Sequence, residues 1–173
     1  MTPTALAAPP NSPDRSRLEL RTPLVQVPDL EHFSALLNRQ LGLCRRGGSR
    51  LAVLMIAIDL PEELRPAVRQ IAQEAAGARL ANRVRSTDVV CRIGALRFGV
   101  VLMGAGRKEA EVVRARLSKV IAGRYCVDST STELTLQIGM AVYRESGETG
   151  SELAQAALID IGRPHLVMAE RRA

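Results

Sequence analysis

Residues 85–98 of this 173-residue chain have the sequence RSTDVVCRIGALRF, the first indication of its fold. It contains one apolar run at Val89–Ile93 and opens a second at Arg97–Met103, with a turn at Gly94-Ala95 between them. Two short runs rich in Val and Ile around a glycine turn are typical of a β-hairpin, although Leu96 is not an ideal turn residue. Gly104-Ala105-Gly106 closes the second strand.

Segments of helical periodicity surround this hairpin. Apolar residues at three- and four-residue steps predict a helix from Asp29, its N-cap, to Gly47. Further helices are predicted over about 67–84, 108–122 and 151–161. The runs 51–58 and 134–143 predict strands, and 166–168 predicts a short last strand. A hairpin embedded among helices favours an α+β sandwich, in which helices pack against one sheet.

Composition indicates one domain with a flexible tail. Residues 1–23 contain five prolines and little apolar surface, so we predict a tail there and a domain over 24–173. Aromatic residues make up only 2% of the chain, which argues against single-stranded nucleic-acid binding despite the net charge of +6. The basic residues are almost all arginine, whose planar fork matches phosphate and carboxylate oxygens.

The cysteines and the hydropathy pattern indicate a cytoplasmic protein. Cys44 and Cys91 lie within apolar patterns and are predicted to be buried, and with Cys126 they show no metal-ligand spacing. Reduced thiols suit the cytoplasm. No run approaches the ~20 apolar residues that span a bilayer, so we predict no membrane insertion.

Several segments resemble, in order and spacing, the GGDEF (diguanylate cyclase) domain family. TPLVQVPDLEHF at residues 22–33 is similar to the family's D-x-L-T-G-L-P-N-R-R-x-F opening motif, and LTLQIGMA at 134–141 to its l-T-v-S-i-G-v-A strand. The stretch at 85–98 resembles R-x-x-D-x-v-a-R-x-G-G-D-E-F, with GALRF at residues 94–98 in place of GGDEF. The resemblance covers about residues 24–168. It implies the nucleotidyl-cyclase fold, with a central, mainly antiparallel sheet wrapped by helices.

The resemblance also implies that this chain lacks the family's catalytic residues. Family members condense two GTP molecules into cyclic di-GMP with divalent metal ions held by carboxylates. The metal-binding positions correspond to Ala57 and Leu96, the next signature position is Arg97, and Ala95 replaces a glycine. Neither Ala nor Leu can ligate Mg²⁺. A register shift would offer Asp59 as a ligand, but the carboxylate of the hairpin would still be missing.

The segment that contacts substrate in the family is also altered. Between Asp59 and Gln70 the chain has LPEELRPAVR, about four residues fewer than the family pattern. The resemblance therefore implies a degenerate domain with no catalytic residue, no metal and no cofactor.

Arg85 and Asp88 match the family's R-x-x-D product-binding motif. In the family, the Arg contacts phosphate and guanine oxygens of cyclic di-GMP, and the Asp accepts from a guanine edge. Arg92, four residues beyond Asp88, is a candidate for a further phosphate contact. The alternative is structural, with Arg85 at a solvated helix end and Asp88 at the start of a strand.

Three functions remain open from the sequence. The first is a non-catalytic regulator that responds to cyclic di-GMP as its ligand. The second is a ligand-independent interaction module, with a partner protein or a second copy, in cyclic di-GMP signalling or biofilm control. The third is residual diguanylate cyclase activity. Nucleic-acid binding is supported only by the net charge.

Overall fold

Six strands and four helices make up residues 22–163, the part of the chain that this computed structural model describes. In chain order the elements are β1 (Leu24–Val27), α1 (Leu30–Gly47), β2 (Leu51–Asp59), α2 (Pro66–Ala81), β3 (Val89–Ile93), β4 (Arg97–Met103), α3 (Arg107–Ile121), β5 (Gly123–Val127), β6 (Thr130–Val142) and α4 (Gly150–Ile161).

The strands form one sheet in the order β1-β3-β4-β2-β6-β5. β1 runs parallel to β3, and every other neighbouring pair is antiparallel. β2 occupies the middle because its run of apolar residues can be buried on both faces at once. The structure confirms the predicted α+β fold with its mainly antiparallel sheet.

Alternate residues of β2 pack into two separate cores. Leu54 and Ile56 face a core that α2 and α3 complete. Val53 and Met55 face a second core that α1 and α4 complete. The period of two in a strand sends successive side chains to opposite faces, so one strand serves both layers.

Two strands were not predicted from the sequence. β1 has four residues, and β5, with the sequence Gly-Arg-Tyr-Cys-Val, alternates only weakly. β5 joins β6 through a turn at Asp128 and Ser129, where Asp128 adopts a φ of 51°. Asp tolerates this left-handed conformation better than most residues do. β6 therefore begins at Thr130, earlier than the predicted residue 134.

Thr22 was predicted to belong to the tail, but it is buried against the domain. Residues 1–21 and the predicted strand at 166–168 lie outside the described residues. No helix in the described part of the chain is long and apolar enough to cross a membrane.

The predicted burial of Cys44 and Cys91 is confirmed. Burial raises the pKa of the Cys91 thiol to about 12. Because the thiolate is the reactive form, this residue is a small apolar packing group at neutral pH. Cys126, on β5, is exposed.

Candidate functional site

The hairpin turn joins β3 to β4 and is held by both neighbouring strands. Gly94 adopts a φ of 61°, which favours glycine, and its N–H donates to the carbonyl of Val27 on β1 (3.2 Å). The Leu96 carbonyl accepts from the N–H of Ile58 on β2 (3.0 Å). The Leu96 side chain is left 40% exposed. The turn is therefore fixed in position, with an apolar group at its tip.

Two of the positions that the resemblance predicts to be degenerate face each other across neighbouring strands. Ala57 on β2 is directly opposite Arg97 on β4, so both side chains project from the same face. Asp59 is exposed at the end of β2, two residues further along. Within residues 22–163, no three His, Cys, Asp or Glu side chains come together to hold a metal ion. A methyl group and a guanidinium offer Mg²⁺ no oxygen ligand, so Ala57 and Arg97 do not fit it.

The segment that the resemblance predicts to be altered forms a compact turn. Residues 60–65 link β2 to α2, and Leu60 is buried in the core beneath them. The N–H of Leu64 and the Nη2 of Arg69 both donate to the Pro61 carbonyl, at 3.3 and 2.6 Å. The segment is thus closed by contacts with itself and with α2.

The Arg85–Asp88 turn is held by the Asp88 carboxylate. Oδ2 of Asp88 accepts from the backbone N–H of Arg85 (3.0 Å), and Oδ1 accepts from the N–H of Met103 (3.1 Å). The N–H of Asp88 donates back to the Arg85 carbonyl (3.0 Å). Asp88 is only 7% exposed. The structure brings the two predicted residues together, but both oxygens of Asp88 already serve the backbone.

The exposed side chain of Arg85 borders two cavities that also share Arg116 of α3. The larger, an open cleft of about 960 Å³, is lined by residues 82–86 and Arg116. The smaller, of about 240 Å³, is lined in part by Val112, Val113 and the backbone around Gly104. Nη2 of Arg116 donates to the Arg83 carbonyl (2.9 Å), which places its guanidinium at the mouth of the cleft. Sequence reasoning missed Arg116 because no motif marks it and α3 meets the turn only in the folded chain.

The charges around the two cavities favour an anion. Arg83, Arg85 and Arg116 line them, together with two carboxylates, Asp88 and Glu109. Glu109 accepts from the N–H of Gly106 at the start of α3 (3.0 Å), and hydrogen bonds from backbone N–H groups lower the pKa of its carboxyl. Both acids thus accept from backbone donors, whereas the exposed residues Arg85 and Arg116 line both cavities.

Arg92 does not belong to this site. Its Nη2 donates to Oε1 of Gln73, a buried side chain of α2 (3.0 Å). Four residues along a strand span ~13 Å, so Arg92 lies well away from Asp88. It does not line either cavity described above. The hydrogen bond joins Arg92 to α2, and the phosphate contact suggested for Arg92 stays a prediction.

Comparisons with known proteins agree with this fold. The family model described as "Diguanylate cyclase, GGDEF domain" matches residues 23–161. A search of curated proteins found no match.

Solved structures share the architecture. The GGDEF domain of YfiN (also TpbB) from Pseudomonas aeruginosa is 23% identical with a TM-score of 0.71, over 78% of this chain and 88% of that one. An EAL/GGDEF domain protein from M. capsulatus is 25% identical with a TM-score of 0.63, over 76% and 88%. The diguanylate cyclase SiaD of P. aeruginosa, in complex with its activator SiaC, is 18% identical with a TM-score of 0.59, over 83% and 57%. On the family match and this shared fold, the chain belongs to the GGDEF domain family.

Proposed function

We propose that this chain is a non-catalytic GGDEF domain that binds cyclic di-GMP through Arg85 and Arg116 and acts as a regulator. The observation that carries the proposal is the pair of guanidinium groups, from the turn at 85–88 and from α3, on the same two cavities. A cyclic dinucleotide offers two phosphates and guanine carbonyl oxygens. Arginine forks bind such oxygens with paired, charge-assisted hydrogen bonds.

In this proposal Asp88 positions Arg85 and does not contact the ligand. Its low exposure and its two backbone donors leave little access for a guanine edge. Val112, which is 67% exposed beside Arg116, provides apolar surface on which a purine ring can pack.

The proposed loss of catalysis is supported by the juxtaposition of Ala57 and Arg97. Phosphoryl transfer builds negative charge that metal ions must neutralise. At the corresponding place this chain has a methyl group and a guanidinium, with Leu96 beside them. An arginine there repels a divalent cation and offers it no ligand.

Calorimetric titration with cyclic di-GMP tests the binding proposal. We expect the wild type to bind, and Arg85→Ala and Arg116→Ala each to weaken the affinity at least tenfold, because each removes a charge-assisted contact. Arg124→Ala is the matched control, since Arg124 is exposed on β5 at the far edge of the sheet and should bind like the wild type. A wild type that gives no binding heat and no competition with a labelled dinucleotide refutes the proposal.

A ligand-independent interaction module is the second candidate. The exposure of Leu96 at the hairpin tip favours it. Analytical ultracentrifugation without nucleotide distinguishes the two. Under this alternative the wild type self-associates, Leu96→Asp dissociates it, and Arg85→Ala leaves it unchanged.

A further inference from the structure

Thr22 makes a buried hydrogen bond to the ligand-binding turn. Its side chain is 1% exposed, and its Oγ1 donates to the Arg85 carbonyl (3.0 Å). The bond joins residues 63 positions apart. Thr22 also precedes Pro23, which restricts its backbone to extended conformations, and its β-branch limits the side-chain rotamers. The hydroxyl is therefore presented to Arg85 at a small entropic cost.

This bond completes the set that fixes the Arg85 backbone. The N–H of Arg85 donates to Asp88, and its carbonyl accepts from the N–H of Asp88 and from the hydroxyl of Thr22. Two of these three bonds lie within the turn itself. Thr22 supplies the third, from a different part of the chain. The guanidinium sits at the end of a long flexible stem, so its reach into the cavities depends on where these bonds hold the backbone.

β1 extends this connection from one turn to the other. The strand begins two residues after Thr22 and pairs with β3, with Leu24 beside Val90. At its other end, the Val27 carbonyl accepts from the N–H of Gly94 in the hairpin turn. A four-residue edge strand is thus attached at one end to the Arg85 turn and at the other to the hairpin tip.

We propose that Thr22 is a positioning residue for Arg85 and couples occupancy of the ligand site to β1. The inference takes its ligand from the proposed function. Coupling is reciprocal: if an intact Thr22–Arg85 bond improves ligand binding, then bound ligand stabilises that bond by the same factor. Ligand therefore stabilises the attachment of β1 to the Arg85 turn, and a loosening of that attachment lowers ligand affinity.

Two substitutions separate the hydroxyl from the volume of the side chain. Thr22→Val removes the donor at almost constant size, and Thr22→Ser keeps the donor. We expect Thr22→Val to weaken cyclic di-GMP binding by up to about tenfold, because one buried hydrogen bond coupled to the ligand can change the affinity by no more than that. Thr22→Ser should stay within about twofold of the wild type. Hydrogen exchange at the Asp88 amide, which shares the Arg85 carbonyl with Thr22, should be faster in Thr22→Val than in Thr22→Ser.

The outcomes distinguish this inference from the proposed function. If the wild type does not bind cyclic di-GMP, the proposed function is refuted. The comparison of Asp88 hydrogen exchange between Thr22→Val and Thr22→Ser still tests the positioning role. Equal Asp88 exchange in Thr22→Val and Thr22→Ser overturns the inference, whatever the affinities. Should Thr22→Val fail to fold, the wild type suffices: saturating cyclic di-GMP must slow exchange in β1 and at Asp88. Binding without that slowing overturns the coupling.

Discussion

Replacing Asp88 by Asn tests whether this residue is a structural clamp or a ligand contact. The carboxylate accepts one hydrogen bond at each oxygen, from the N–H groups of Arg85 and Met103. An Asn side chain keeps one acceptor and turns a donating NH₂ group toward the other N–H. A hydrogen bond to a charged group contributes about 1.5–3 kcal/mol, and an unsatisfied buried donor costs about 1–3 kcal/mol. Because the two terms overlap, we expect Asp88→Asn to lower the free energy of unfolding by about 2–4 kcal/mol.

Urea denaturation followed by circular dichroism measures this loss. Thermal denaturation gives a second measure: for a chain of this size 1 kcal/mol corresponds to a Tm change of about 2–4 °C, so the Tm of Asp88→Asn should be roughly 4–16 °C lower. Asp59→Asn is the control, because Asp59 is an exposed carboxylate and its replacement should leave stability unchanged. The reasoning is refuted if Asp88→Asn is as stable as Asp59→Asn. If such a stable variant also lost affinity for cyclic di-GMP, Asp88 would be a ligand contact.

Three further predictions concern activity, packing and thiol chemistry. Incubation with GTP and Mg²⁺ or Mn²⁺, followed by chromatography, should show no cyclic di-GMP, because Ala57 and Leu96 supply no metal ligand; sustained product formation would contradict the proposed inactivity. Gly139→Ala should lower the free energy of unfolding, measured in urea, by about 3 kcal/mol, because a Cβ there overlaps the Ala157 carbonyl oxygen of α4. Gly42→Ala on α1 is the control: a Cβ has room there, so this variant should leave the free energy of unfolding unchanged or raise it by up to about 1 kcal/mol. At pH 8 a thiol reagent should modify Cys126 quickly and Cys91 only after unfolding. The reason is that burial holds the pKa of the Cys91 thiol at about 12 and leaves almost no thiolate. Equal modification rates of the two cysteines in the folded protein would disprove this.

Local sequence signals were enough to predict most of the fold. The strand β2 and the hairpin of β3 and β4 follow from apolar runs and a glycine turn, and α1 from its periodicity and its Asp29 cap. β1 and β5 were missed because short edge strands depend on pairing with a neighbour that local sequence does not specify.

The candidate site was only half predictable for a similar reason. The R-x-x-D spacing placed Arg85 and Asp88 in one turn, as the structure has them. Arg92 looked close in sequence but is carried away by the rise of the strand, and its partner Gln73 comes from α2. Arg116 and Thr22 reach the turn through tertiary packing alone, from α3 and from the chain before β1.

The clamp role of Asp88 changes what the R-x-x-D motif can be used to argue. A carboxylate that caps two backbone N–H groups is required by the turn whether or not a ligand binds, so the presence of Asp88 favours both functions equally. Arg85 and Arg116 distinguish the two functions better, because both residues are exposed and line the cavities, and the fold does not need either side chain to be buried. Truncating Arg85 leaves all three backbone bonds of that residue in place, because none involves its side chain. A loss of affinity in Arg85→Ala at unchanged stability would therefore report on ligand contact alone, whereas the same loss in an Asp88 variant would be confounded by disruption of the turn.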